Sequence, residues 1–205
     1  MLVNQTIAWY ICTIVFILLQ GTHPKLEQRR IFCTMKQPKN TNEVVIESII
    51  QATIDLMQKR SIDDISVTDI VQHAGVSRNS FYRNFKDKDD ILRRCITNET
   101  ECWLDNTHLK YDSIFESDDF FVIILEHLYD FRDYVKLLMR DKKMYLLEEE
   151  FDYRVKARLE GITDPWHIAF MTGGLYKLFL YWAETGYQKT PQEIAAYMYE
   201  INLEF

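Results

Sequence analysis

The chain is poor in the residues that punctuate structure. Six glycines and four prolines in 205 residues are too few for an all-β protein with its many tight turns. Four cysteines, Cys12, Cys33, Cys95 and Cys102, are too sparse for a disulfide scaffold, and free thiols are the expectation in a reducing compartment. Catalytic frames are missing too. There is no G-x-S-x-G, no P-loop and no Rossmann fingerprint, so an all-helical enzyme is a weak rival reading. No C-x-x-C or H-x-x-x-H spacing offers a metal site. Cys95, Cys102 and His108 lie near one another in sequence and carry a thiol- or metal-sensor alternative. No metal and no cofactor is expected.

Charge is unevenly spread. The whole chain carries −7, which taken alone argues against a nucleic-acid partner. From 104 to 205 there are 11 basic and 19 acidic residues; from 36 to 103 the counts are 10 and 11. Within 73–88, Arg78, Arg83, Lys86 and Lys88 face Asp87 alone. The acid therefore sits in the C-terminal part, and a local positive patch coincides with the most informative stretch.

That stretch is 66–90. Ser66 with Asp69 has capping-box spacing, and Val67, Ile70, Val71 and Ala74 give one apolar helical face. Gly75 stops the helix, Val76 plugs the turn, and Ser77 caps a second helix. Phe81 and Phe85 point into a core while Arg78, Asn79, Ser80 and Tyr82 face outward. Two helices joined by such a turn predict a helix-turn-helix, with the second helix in a DNA major groove. Arginine can grip guanine, asparagine adenine, and serine either, so Arg78, Asn79 and Ser80 are the expected base readers. Ser77, Tyr82, Lys86 and Lys88 are the expected phosphate contacts, Lys88 from the start of a fourth helix capped by Asp87. A helical adaptor using the same pair as a protein-binding surface is the rival.

The run from 74 to 92, AGVSRNSFYRNFKDKDDIL, resembles the DNA-binding motif of the TetR family of bacterial transcriptional repressors. The family pattern is roughly A-G-V-S-x-x-[TS]-[FL]-Y-x-[HYN]-F-x-x-K-[ED]-x-L. The motif covers about a tenth of the chain. Asn79 departs from it, since family members often carry glycine there, and the departure bears on the DNA sequence read. The resemblance implies a ligand-responsive repressor of the bacterial cytoplasm that binds double-stranded DNA at a palindromic operator as a homodimer. It also implies a fourth helix whose tilt changes the spacing of the recognition helices.

The expected architecture is all-α. Residues 1–35 form an uncertain extension, 40–87 the helix-turn-helix domain, 88–109 a linking helix and 110–205 a helical effector-binding and dimerisation domain. The apolar run at 7–19 is short for a membrane span and no Lys or Arg precedes it. The preferred reading is that Met35 is the true start; a membrane anchor is the alternative, and membrane association follows only in that case. In the C-terminal part, Trp103, Phe121, Tyr129, Tyr134, Tyr145 and Phe170 are candidates to line a pocket for a small apolar or aromatic effector. Asp164 and Pro165 open a long helix with Gly173 and Gly174 in its middle, and Thr190, Pro191 and Glu193 open the last one. Tyr176, Phe179, Leu180 and Trp182 give the long helix more apolar surface than one edge needs. Gly173, Gly174, Tyr181, Ile194 and Met198 are the candidate dimer contacts.

Overall fold

The computed structural model describes residues 41–106, 120–159 and 164–204. Among these residues the regular structure is helical, with no strand, as the scarcity of turn formers requires. In chain order the elements are α1 (Thr41–Met57), a 3-10 turn (Ile62–Asp64), α2 (Val67–Ala74), α3 (Arg78–Asn84), α4 (Lys88–Asn106), α5 (Phe120–Asp130), α6 (Arg132–Arg140), α7 (Tyr145–Leu159), α8 (Pro165–Glu184) and α9 (Pro191–Glu204). The apolar run at 7–19 and the two possible start methionines lie outside the described residues. Among those described, no helix is long and apolar enough to cross a membrane.

The chain forms two compact units. The first joins residues 41–102 to Tyr134–Glu150; the second joins 103–133 to residues from 151 onward. In the first unit α1 buries Ile49, Ile50, Ala52, Ile54 and Met57, a stripe that packs on α2 and α3. Each fully buried Ile contributes roughly 1.5–3 kcal/mol. Thr53 lies on the same face, and its hydroxyl donates to the Ile49 carbonyl at 2.8 Å, so no polar atom is stranded. Ile62, Ile65, Ile70, Phe81, Phe85, Ile91, Leu92 and Ile96 extend this core. Tyr134, Val135 and Leu138 of α6 and Leu146 of α7 are also fully buried. These C-terminal residues thus share a unit with the helix-turn-helix.

In the second unit α5 packs against α9. Leu125, Phe131, Tyr176, Phe179, Trp182, Tyr187, Ile194 and Ala195 are buried there. The helix starts follow the sequence signals. Asp164 accepts the Trp166 N–H at 3.0 Å, and Thr190 and Glu193 exchange both bonds of a capping box.

Several carboxylates are held in their charged form. Burial would raise Asp141, but the Arg140 guanidinium and the Ile62 and Ser61 donors outweigh it and depress its carboxyl. Burial likewise opposes, and Lys143 and Tyr145 overcome, the shift at Asp89. Backbone and hydroxyl donors of Ser66 and Thr190 lower Asp69 and Glu193. Groups whose folded values lie below their unfolded ones contribute stability above the unfolded value and lose it as pH falls through the folded one. Urea midpoints followed by circular dichroism should therefore hold steady down to about pH 5 and drop steeply below about pH 4. A midpoint unchanged at pH 3 would contradict this account.

Candidate nucleic-acid interface

The two helices of the motif are fixed at their ends by local chemistry. Ser66 caps α2: its hydroxyl accepts the Asp69 N–H at 3.1 Å, and Asp69 accepts the Ser66 N–H at 2.8 Å. Gly75 ends α2 in the left-handed region, φ 67° and ψ 29°. A side chain there would meet no neighbour within 4 Å, so the demand for glycine is one of backbone conformation alone. The Val76 N–H closes the turn on the Val71 carbonyl at 3.0 Å. Ser77 then caps α3, its hydroxyl accepting the Ser80 N–H at 3.0 Å.

Phe81 and Phe85 anchor the inner face of α3, their ring centroids 6.1 Å apart and both rings buried. The outer face carries Arg78, Asn79, Tyr82 and Lys86, all exposed. Tyr82 is 56% exposed and meets the edge of Phe81. No described residue hydrogen-bonds to any of these four side chains, so their polar atoms are available to a partner. Ser80 sits half-buried, its hydroxyl 2.9 Å from that of Ser77, so these two hydroxyls are already engaged with each other. A second set of contacts holds α3 from behind. Asn42 donates to Asn84 at 2.9 Å, Arg83 to Asn42 at 3.1 Å, and Asn84 to the Ser80 carbonyl at 2.8 Å. Sequence reasoning missed Asn42, Arg83 and Asn84, because their contacts cross some forty residues.

Lys88 is placed differently from the expected phosphate contact. Its ammonium donates to the carbonyls of Ile62 (2.5 Å), Asp63 (3.3 Å) and Ile65 (2.9 Å). An ammonium has three N–H donors, and all three are spent on the turn before α2. Lys88 is thus a strut inside the domain.

The other candidate residues do not converge on one site within either unit. Tyr134 belongs to the core of the first unit, its hydroxyl donating to the Leu92 carbonyl at 3.2 Å. Tyr145, in the same unit, bonds Asp89. In the second unit Trp103 stacks on His127 at 4.1 Å. Tyr129 lies between Trp182, Tyr187 and the Arg132 guanidinium, which sits 4.2 Å over its ring. Tyr187 adopts a left-handed φ of 58°, and its buried hydroxyl has no partner among the described residues. The Phe121 side chain lies outside the described residues. Phe170, 78% exposed on α8, lines no interior.

Among the candidate dimer contacts, Gly173, Gly174 and Tyr181 lie on the exposed face of α8, and Met198 is half-buried. Ile194 is only 6% exposed, buried within its own unit. Tyr176, Phe179 and Trp182 are likewise buried. Cys95 is a free, buried thiol that burial pushes far above its ordinary pKa. A thiol held protonated is a poor nucleophile and ligand. The expectation of free thiols is met at Cys95; Cys12 and Cys33 lie outside the described residues. Among the described residues no His, Cys, Asp and Glu group could hold a metal ion.

The placement of Lys88 makes its removal a folding defect. Lys88→Met should lower stability to urea by about 1–3 kcal/mol, since it removes the one donor that the Ile62, Asp63 and Ile65 carbonyls share. An unchanged urea midpoint in this variant would contradict the strut.

Residues 49–95 match the family model described as bacterial regulatory proteins, tetR family. Over 50 residues the chain is 44% identical to the uncharacterized HTH-type transcriptional regulator YwcC of Bacillus subtilis, covering 24% of this chain and 22% of that protein. The match thus spans less than a quarter of that relative's length. Over 153 residues it is 22% identical to the biofilm operon icaADBC HTH-type negative transcriptional regulator IcaR of Staphylococcus epidermidis, covering 69% of this chain and 81% of that protein. The capped, core-anchored helix α3 thus lies inside the span, residues 49–95, over which the chain is similar to the tetR family of bacterial regulatory proteins.

Proposed function

We propose that the protein is a ligand-responsive repressor that acts in the cytoplasm and binds a palindromic operator as a homodimer. The observation that carries the DNA part is the free outer face of α3: Arg78, Asn79, Tyr82 and Lys86 are exposed, and no described residue competes for them. Arg78 and Asn79 read base edges, with Ser80 beside them; Tyr82, Lys86 and the Ser77 hydroxyl hold phosphates. Lys88 takes no part. The negative regulator named among the relatives supports repression.

The dimer rests on α8. Trp166 (86% exposed), Phe170, Gly173, Gly174 and Tyr181 (62% exposed) fall on one face, at a spacing that puts them within one helical stripe. Exposed rings of this size in one stripe mark an association surface. For the effector, the Tyr129, Trp182 and Tyr187 rings with the unpartnered Tyr187 hydroxyl support a small aromatic ligand bearing a hydrogen-bond acceptor.

Random-sequence selection with the full-length chain should yield a duplex with two related half-sites about 34–36 Å apart. Against that duplex Arg78→Ala should cost about 1–3 kcal/mol and relax specificity at one position, whereas Lys86→Ala should weaken all sequences alike and reduce the salt slope by about one. Failure to enrich any sequence would refute the reading. Phe170→Glu combined with Tyr181→Glu should leave the far-ultraviolet circular dichroism unchanged while light scattering shows monomer. A dimer that survives both changes would place the interface elsewhere.

A further inference from the structure

The Arg140–Asp141 pair, at the end of α6, reaches the segment that leads into the helix-turn-helix. The Arg140 guanidinium forks onto its neighbour, Nε to Asp141 Oδ1 at 2.8 Å and Nη2 to Asp141 Oδ2 at 2.9 Å. It also donates to the carbonyls of Met57 (2.8 Å), the last residue of α1, whose carbonyl no helix bond can satisfy, and of Arg60 (3.1 Å), three residues beyond it. Asp141, its side chain 1% exposed, accepts the Ile62 N–H at 2.9 Å. Lys88 holds the carbonyls of the same turn from the other side.

The turn that presents these groups is itself pinned. Lys142 is left-handed at φ 57°, a conformation that survives in a non-glycine residue only where the surroundings over-determine it. Here the residue before it is bonded to Ile62, and the residue after it is not free either: Lys143 pairs with Asp89 at 2.8 Å. The bridge continues along α7, where Glu149 pairs with Arg93 at 2.8 Å and Glu150 accepts the Thr97 hydroxyl at 3.0 Å.

We propose that Arg140 and Asp141 are positioning residues for DNA binding: they fix the 61–65 turn, and with it the setting of α2 and α3, without reaching DNA. The inference rests on the DNA-binding reading above. Loosening the pair leaves Arg78, Asn79, Tyr82 and Lys86 in place but makes their presentation less definite, so binding costs extra ordering. Phosphate contacts are unchanged in number, so the salt dependence stays the same.

The test uses full-length wild type, Asp141→Asn and Arg140→Lys against the duplex selected with wild type, by fluorescence anisotropy across a salt series. Stoichiometric titration gives the fraction of competent protein. Asp141→Asn should bind about tenfold more weakly, with the wild-type salt slope and a fully competent population. Arg140→Lys, which keeps the charge and loses the fork, should fall between the two. Wild-type affinity in Asp141→Asn would overturn the proposal and leave the DNA-binding reading standing. A lower competent fraction with wild-type affinity in the remainder, or loss of helical signal in both variants, would make the pair a folding element and equally overturn it. Failure of wild type itself to select any duplex would instead refute the DNA-binding reading.

Discussion

The recognition helix cannot hold itself. α3 is seven residues long, and isolated helices below about 12–15 residues are marginal in water. Everything that makes it a fixed object comes from its ends and its back. Ser77 satisfies one orphan amide at its start, and Phe81 and Phe85 supply two large rings to the core. Asn84 and Asn42 tie its inner polar edge to α1. Because these tasks fall on the inner face and the caps, the outer face is released from any structural duty. That division of labour leaves Arg78, Asn79, Tyr82 and Lys86 without hydrogen-bond partners among the described residues.

The same division explains what could be read without the structure. Caps, stops and stripes depend on residues within four positions of one another, so Ser66 with Asp69, Gly75, Pro165 and Thr190 with Glu193 announced themselves. Lys88 did not. Its three carbonyl partners lie 23 to 26 residues away, and a lysine at a helix start beside a recognition helix looks equally suited to a phosphate. Tyr134 and Asp141 were hidden for the same reason, with partners 42 and 79 residues distant. Ile194 and Tyr181 show a second kind of limit. Both are large apolar residues on C-terminal helices, yet Ile194 is buried on α9, the helix that packs against α5, whereas Tyr181 on α8 is exposed, and nothing within four positions of either separates the two.

The electrostatics of the interface change with the geometry. The sequence offers four cations near α3, but Lys88 is committed to carbonyls and Arg83 is partly engaged by Asn42. The nearby acids are committed as well: Asp87 accepts the Asp90 N–H at 2.8 Å as the cap of α4, and Asp90 accepts the Lys86 N–H at 3.0 Å. What remains to meet phosphate is a short list of cations and hydroxyls. Counterion release scales with the number of phosphates neutralised, so under the proposed function one copy would have little non-specific hold on DNA. Two copies would double it, and base contacts would carry correspondingly more of the discrimination.

The glycines of α8 make the case for a second copy from inside one chain. Each glycine in a helix interior costs about 1 kcal/mol relative to alanine. At neither Gly173 nor Gly174 would a Cβ meet any neighbour within 4 Å. No close approach among the described residues uses their small size, and the proposed dimer contact would. Trp166, Phe170 and Tyr181 lie above and below them on the same stripe, exposed to water. In the proposed dimer, a twofold axis through the stripe would set the rings of one copy against the two-glycine floor of the other. Such a contact would account for the glycines and the exposed rings together.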